Sequence, residues 1–571
     1  MIGRIVQWWD ERTGVFTWLR RQTDIDLPSG PSWGLAIGFA LIVTLMLEAI
    51  TGIALSTAYA PSATDAWGSV YFIQYKLTGG ALLRGLHHFG SHALVLICVL
   101  HLCRMVAVGA YRAPREVFWL SGLVLLALIL AAARTGHLLP YDQKAYWSTR
   151  VPTNIAGSVP LIGGMLKTLT QGGSDFGTFT LTRFYGLHVG VLPLLILLVA
   201  TGHWGLYRKH GAAPTASTPT ASMAKLSGSM QQLLNWGLAL LVVAVLFAVV
   251  AVMGVTLEAP ADPSSQYDAR PEWYYLSLFH LLKWFEGPLY VVGTVVIPGV
   301  TLTFIVLLPW LDRGSDIGRR ITVVGGMAIL LAVVTLSGLA LAEDANSETY
   351  QKASQTVARN AAEAVQYAGD ATWGIDVSGR VVLYEGKKVF RREQCAQCHE
   401  LRGEESETVS APSLDGYLSR EWLHRLIENP NHDKHFGLTK LKYDDDEGTG
   451  MEGYESLGEP ALSELVEYVA SLAGARYEPP IDREMAARGG VLFDDECSGC
   501  HDIEGEASVG PHMLGYGGMA WLSEMIRDPT HERYFGELGD KMPKYNHLSG
   551  PDMQALSAWL MQLRFEGRIS E

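Results

Sequence analysis

Seven stretches of this chain stay apolar for about 20 residues, the length an α-helix needs to cross the hydrocarbon core of a bilayer. They lie at roughly 34–56, 86–108, 117–138, 185–207, 233–254, 289–310 and 321–341. Residues 211–224 are small residues and proline with nothing to build a core, and they part four spans from three. After 341 the pattern changes. Residues 342–384 are polar, with one helix expected over about 347–368. The remainder is a run of short amphipathic helices that occurs twice. EGKKVFRREQCAQCHELRGEE reads against RGGVLFDDECSGCHDIEGEA, and WLHRLIENPNHDKHFG against WLSEMIRDPTHERYFG. MEGYESLGEPALSELVEYVASL reads against MPKYNHLSGPDMQALSAWLMQL. The expected fold is all-α. A four-span domain (1–210), a linker (211–232) and a three-span domain (233–341) form a seven-span transmembrane helical bundle. A tether (342–384) leads to two small helical domains, 385–475 and 476–571.

Apolar residues make up 49% of the 571 and charged residues 18%, which excludes an intrinsically disordered protein. Residues 1–341 hold 22 Lys and Arg against 16 Asp and Glu, whereas residues 342–571 hold 22 against 42. A membrane part is therefore joined to an acidic, water-facing part. No basic stripe offers phosphate contacts, so nucleic acid is not an expected partner. Arg4, Arg12, Arg20 and Arg21 precede the first span, and Arg104, Arg112 and Arg115 separate the second from the third. Arg208 and Lys209 follow the fourth, and Arg313, Arg319 and Arg320 separate the sixth from the seventh. By the positive-inside rule all of these face the cytoplasm, as does the N-terminus. An odd number of spans then delivers residues 342–571 to the outer side. The N-terminal sequence has no apolar run followed by a small-residue cleavage site, so the spans themselves must direct export.

Ionisable residues inside a membrane are candidates for function. The second span carries His87, His88, His92 and His101, and the fourth carries His188 and His203. At about 100° per residue, His87 and His101 end about 40° apart and about 21 Å from one another along the axis. His88 and His92 fall well away from the His101 face. His188 and His203 repeat the pattern at 15 positions, about 60° apart. Two antiparallel helices so marked can hold one haem near each membrane surface, with His87 and His188 on the outer iron and His101 and His203 on the inner. Two axial imidazoles leave no open position, which suits electron transfer. Gly38 and Gly52, and Gly122 and Gly136, share the 14-residue spacing and allow close approach to a flat group. Arg84 and Arg104, each three residues from a ligand histidine, are candidates for the haem propionates. Glu48 is an acidic residue in mid-span. A charge there costs roughly 2.5–3.5 kcal/mol, so the carboxyl is expected to be protonated or paired.

The six cysteines fall in three pairs. Cys395-Ala-Gln-Cys398-His399 and Cys497-Ser-Gly-Cys500-His501 are attachment signals for c-type haem, each giving two thioethers and an axial histidine. Such attachment occurs on the outer side, in agreement with the charge rule. Met542, followed by proline, is the expected distal ligand in one repeat and Met451 its counterpart, Met/His ligation giving a high potential. His432 and His435 are rivals of Met451 for the first haem, although His432 aligns with His531 and reads better as structural.

The motifs LLRGLHHFGSHALVLICVLHLCR, TGHLLPYDQKAYW, TLTRFYGLHVGVLPLL and GHWGLYRKHG resemble the cytochrome b of bc-type complexes. The seven spans and the 15-residue spacing resemble its cytochrome b6f branch in particular, and LEAPADPSSQYDARPEWYYLSLFHLLK resembles that branch's subunit IV. The C-terminal repeats read as class I cytochrome c domains. The resemblance covers residues 1–341 almost continuously. It implies a quinol:cytochrome c oxidoreductase with two non-covalent haems b and two covalent haems c. Quinol is oxidised on the outer side, electrons part between a Rieske protein and the b haems, and protons are translocated. Pro271-Glu272-Trp273-Tyr274 matches the family's motif at the quinol pocket, where Glu272 with a raised pKa suits a general base and Tyr274 adds a hydrogen bond. Asp24, Asp26, Arg208 and Lys209 are candidates at an inner quinone site. Ala36 stands where the b6f branch has a cysteine for an extra haem, so no covalent haem is expected in the membrane part.

No sequence signature of a Rieske cluster occurs, so that protein must be a separate partner. The acceptor is a soluble or membrane-bound cytochrome c or a terminal oxidase. The remaining expectations are a homodimeric complex and a multi-pass location in a bacterial inner membrane. A quinone-linked anchor for a dehydrogenase would lack the PEWY motif. A passive electron wire would show no quinol-dependent turnover.

Overall fold

A computed structural model describes the chain apart from residues 1, 18–30, 158, 160, 174, 175, 214–226, 264, 266, 370–375, 403, 405–409, 440, 441, 443–449, 476, 478, 504–508, 537–541 and 567–571. Every regular element among the described residues is helical. The chain divides into two compact units, 1–365 and 366–571. Among the described residues seven helices are long and apolar enough to cross a membrane, and all lie in the first unit.

That unit opens with α1 (Ile2–Thr13) and the first span, α2 (Trp33–Ser56), which starts where Ser32 accepts the Leu35 N–H. A short α3 (Ala66–Tyr75) leads to the second span, α4 (Gly80–Val108). Gly79 and Gly109 bound α4, both at positive φ, where a side chain would be strained. The third span is α5 (Glu116–His137), followed by the short α6 (Gln143–Gly157) and α7 (Gly163–Gln171). The fourth span is α8 (Thr178–Gly186), a π turn at Leu187–Val191 and α9 (Leu192–His210). Then come the fifth span in α10 (Ser227–Met253), the short α11 (Leu276–Leu282), the sixth span made of a π turn at Val292–Val296 and α12 (Ile297–Leu311), and the seventh, α13 (Asp316–Asn346). The helix expected in the tether is α14 (Glu348–Gly369). Helix α2 packs along α4, and α9 along α5. Ile50, Ile53, Leu197, Leu198, Leu240 and Leu331 stay exposed, as a lipid-facing surface requires.

Polar ties at both ends hold the four-span part to the three-span part. At one end the Gln143 N–H donates to the Ala259 carbonyl and the Ala261 N–H to the Tyr141 carbonyl, both at 3.0 Å. Trp67 Nε1 donates to the Glu258 carbonyl at 2.7 Å, and Arg84 donates to the carbonyls of Val255 and Thr256. At the other end the fully buried Asp312 accepts from the Tyr111 hydroxyl at 2.8 Å and pairs with Arg112 at 3.0 Å. Arg319 donates to the same hydroxyl and to the Val106 carbonyl.

The second unit contains α15 (Val377–Arg392), α16 (Arg420–Glu428), α17 (Ala461–Leu472), α18 (Arg483–Glu496), α19 (Met519–Arg527) and α20 (Gly550–Glu566). Asp376, Ser419 and Asp482 cap three of them through their side-chain oxygens. A single apolar core runs through both repeats, joining Phe390, Leu423 and Leu465 to Phe493, Leu522 and Trp559. Helix α15 packs along α20, and α17 along α18.

The Asp312 cluster yields a prediction. Removing the shared acceptor leaves the Arg112 guanidinium without its carboxylate, whereas Tyr111 keeps its hydrogen bonds to Thr322 and Arg319; the loss costs about 3 kcal/mol, the lower end for a broken buried pair because Arg112 is partly exposed. Asp312→Ala should therefore lower the thermal inactivation temperature of the detergent-solubilised protein, with Asp312→Asn intermediate. Equal temperatures for all three proteins would show that the tie is dispensable.

Candidate functional site

Helix α4 brings His87 and His101 to the interior of the first unit, and the fourth span brings His188 and His203. The His87 and His188 rings stand 6.0 Å apart between centroids and nearly perpendicular, at 88°. His101 and His203 lie further along the same two helices and form the second candidate pair. The π turn explains the fifteen-residue spacing. It starts beside His188 and takes up about one residue more than an α-turn, so the two histidines relate as if about fourteen positions separated them. That is the His87–His101 spacing on the facing helix.

Three of the four rings have Nδ1 engaged. His87 Nδ1 lies 3.0 Å from the Thr51 hydroxyl and 3.1 Å from the Glu48 carboxylate. His188 Nδ1 lies 2.9 Å from the Ala132 carbonyl and 3.4 Å from the Thr135 hydroxyl, and His203 Nδ1 lies 2.8 Å from the Ser121 hydroxyl. Nδ1 so held leaves Nε2 for a metal, and the hydrogen bond orients the ring and tunes its basicity. The glycines meet the same rings. A Cβ on Gly136 would lie 2.5 Å from His188 Cε1, one on Gly52 3.0 Å from His87 Cε1, and one on Gly122 3.4 Å from His203 Cε1. Gly38 faces His101 at 3.8 Å. The partly buried imidazole pairs, with Nε2 left open, and the side-chain-free backing fit two bis-histidine haems. The Glu48 carboxyl lies against His87 Nδ1, and Gly90 leaves the space it occupies. The hydroxyls of Thr51, Ser121 and Thr135 are not legible from histidine spacing, since threonine and serine are common in any span.

Glu272 lies in the loop before α11, outside the seven spans, with its side chain 10% exposed. Three side chains converge on its carboxylate: Lys144 Nζ at 2.9 Å, His92 Nε2 at 3.3 Å and His137 Nδ1 at 3.4 Å. Burial alone would raise its pKa, but the hydrogen bond from His92 and the charge of Lys144 outweigh it and hold the carboxyl well below the usual range. The expected raised pKa is therefore corrected: this carboxyl is ionised and paired. Lys144 and His137 belong to TGHLLPYDQKAYW, 128 or more positions before Glu272, so only the folded chain reveals the cluster. The Tyr274 ring lies 6.0 Å from that of His92, and Trp273 is exposed. Pro271 precedes the 3₁₀ turn Trp273–Tyr275.

The other candidates in this unit take several positions. Arg84 spends its guanidinium on Gln74 and on the carbonyls of Val255 and Thr256. Arg104 occupies the space left by Gly34. Arg208 and Lys209 sit in the last turn of α9, while Asp24 and Asp26 lie outside the described residues. Ala36 is fully buried in α2.

In the second unit His399 Nδ1 donates to the Pro412 carbonyl at 2.9 Å, and His501 Nδ1 to the Pro511 carbonyl at 3.0 Å. Burial lowers both pKa values, which keeps the rings neutral, the form that binds a metal. His432 accepts the Lys434 N–H through Nδ1, and His531 accepts the Arg533 N–H in the same turn of the other repeat. His435 and His512 are buried without a hydrogen-bond partner among the described residues, as polar groups lining a site for a haem would be. Cys395, Cys398, Cys497 and Cys500 are unpaired thiols beside these histidines, as thioether attachment needs.

Comparison with known proteins gives three family matches. Residues 23–211 match cytochrome b/b6, residues 260–360 match the C-terminal cytochrome b/b6 family, and residues 383–473 and 486–564 each match cytochrome c. The cytochrome b subunit of the menaquinol:cytochrome c reductase of Bacillus subtilis (strain 168) is 34% identical over 220 residues, which are 37% of this chain and 98% of that protein. Cytochrome b6 of Euglena gracilis is 32% identical over 210 residues, again 37% of this chain and 98% of that protein. Among solved structures, a chain of a hyperthermophilic respiratory Complex III matches with a TM-score of 0.52 and 26% identity, over 62% of this chain and 95% of that one. With both halves of a cytochrome b followed by the two attachment motifs, the chain belongs to the cytochrome b/b6 family and carries cytochrome c domains fused at its C-terminal end.

Proposed function

We propose that this chain is the cytochrome b/c subunit of a quinol:cytochrome c oxidoreductase that oxidises quinol beside Glu272 and parts its two electrons. One goes to a separate Rieske iron–sulfur protein, the other through two b haems to a quinone on the opposite side. The observation that carries this is the convergence of Lys144, His92 and His137 on Glu272, with His92 on the same helix α4 as His87. The menaquinol reductase relative and the Complex III chain support it. The bound haems would supply one-electron transfer, the b pair across the membrane and the c pair onward to a cytochrome c or terminal oxidase. The setting is a bacterial inner membrane with the N-terminus cytoplasmic, the c unit outside and the complex a homodimer.

The chain's own part is proton chemistry and positioning. Glu272 is held ionised, so it is ready to take a proton from a quinol hydroxyl. Lys144 is 38% exposed, so its ammonium can turn to water when the hydroxyl displaces it. Once protonated, the carboxyl loses its attraction for Lys144 and is free to swing toward the outer surface. Protons released there and taken up at the inner quinone, near Arg208, Lys209, Asp24 and Asp26, amount to translocation.

Four outcomes test this reading. Pyridine haemochrome analysis should give two b and two c haems per chain, and a ratio clearly different from one would overturn it. Glu272→Gln should slow quinol oxidation by roughly 10²-fold, the usual worth of a positioned base, with both b spectra intact. Lys144→Met removes a cation that favours the ionised carboxyl, so the acid limb of the pH profile should move to higher pH; an unmoved limb would take Glu272 out of the proton path. A carboxylate on His87 Nδ1 makes that imidazole a stronger donor and favours oxidised iron. Glu48→Gln should therefore raise the midpoint potential of the outer b haem alone, by up to about 60 mV, a tenfold change in the balance of the two redox states. Identical potentials would leave Glu48 a packing residue.

A further inference from the structure

The two C-terminal repeats do not close on themselves. In each, the chain leads through a first helix into its Cys-x-x-Cys-His motif, and later through its methionine into a closing helix. The first helix of repeat one, α15, lies against α20, the closing helix of repeat two. A Cβ on Gly386 would strike the backbone of Ala555, and the Phe390 and Trp559 rings stand 5.0 Å apart. The mirror contact joins α18 to α17. Gly489 meets the backbone of Glu464, and the Phe493 and Tyr468 rings stand 5.2 Å apart. Glycine is required at both crossings because the helices touch there without room for a side chain.

The segments after the methionines are exchanged in the same way. Tyr545, three residues after Met542, lies beside the Cys395 thiol, near enough for the two groups to influence each other. His547 pairs with Glu393 at 2.9 Å, and Asp552 with Arg392 at 3.0 Å. Tyr454, three residues after Met451, donates to the carbonyl of Glu496, which directly precedes Cys497, at 2.9 Å. His435, the rival ligand, belongs to the proximal side. The Ser413 N–H bonds the Lys434 carbonyl, which sets His435 beside the Pro412 loop that orients His399.

We infer that the c haems are ligated across the repeats: the haem on Cys395, Cys398 and His399 takes Met542, and the haem on Cys497, Cys500 and His501 takes Met451. This rests on the reading that both motifs carry haem. The two repeats then form one interlocked dihaem unit, and each iron bolts one repeat's attachment motif to the other repeat's closing segment.

The test uses the full chain in its membrane complex. Cys395→Ala with Cys398→Ala removes one haem and leaves the other on Cys497 and Cys500. In that background Met451→His should abolish the methionine-to-iron charge-transfer band and lower the potential of the remaining c haem, whereas Met542→His should change neither. In the Cys497→Ala, Cys500→Ala background the two methionines should exchange roles. Crossing is refuted if each haem answers to the methionine of its own repeat, or to neither. Covalent haem stain on denaturing gels reports separately on attachment, so loss of stain from the wild-type chain would refute the reading beneath. A second readout needs no change near the haems. Cysteines replacing Arg392 and Asp552, both partly exposed, are joined by a short bifunctional thiol reagent, and the chain is then cut at a protease site inserted within 474–482. Fragments that stay joined support the exchange, and fragments that separate contradict it.

Discussion

Everything in the membrane unit follows from the need to hold neutral imidazoles in an apolar interior with one nitrogen satisfied and the other free. A ring N–H shut away from water without a partner is costly, and three of the four rings, all but His101, have a neighbour at Nδ1. The neighbours come from the helices that pack behind the histidine helices: Thr51 and Glu48 from α2, Ser121 from α5, and the Ala132 carbonyl. Those helices can come so near only because Gly52, Gly122 and Gly136 carry no side chain where the rings lie. The packing of α2 on α4 and of α9 on α5 is the geometric result.

Glu272 shows why the two parts of the bundle must stay together. The carboxylate belongs to the three-span part, whereas Lys144, His92 and His137 belong to the four-span part. The backbone pairing of Tyr141–Gln143 with Ala259–Ala261 places Lys144, one residue on, within reach. Trp67 and Arg84 fasten the same strand of chain through its carbonyls. A linker of small residues between the parts is therefore enough, because polar contacts rather than the covalent connection set the geometry.

In the second unit a shared core replaces two separate ones. Repeats of fewer than 100 residues bury a limited fraction of their surface, and pooling Phe390, Leu465, Phe493 and Trp559 into one cluster enlarges what each helix covers. The capping aspartates and serine decide where helices begin. The paired glycines 386 and 489 decide which helices cross.

Span count, the tether helix, the repeat and the candidate ligands were legible in the sequence because each rests on local periodicity or on a short motif. Hydrophobic length is a property of about twenty consecutive residues, and Cys-x-x-Cys-His of five. The 15-residue spacing of His188 and His203 was visible, but its reconciliation with 14 on the facing helix needed the π turn at Leu187–Val191. Partners far apart in the chain were not legible. Lys144 with Glu272, Glu48 with His87 and Tyr545 with Cys395 are meetings that no spacing encodes. The charge of Glu272 is the clearest case. Burial, which an apolar sequence context suggests, argues for a raised pKa, but a cation brought in by tertiary folding acts at 2.9 Å and reverses the sign.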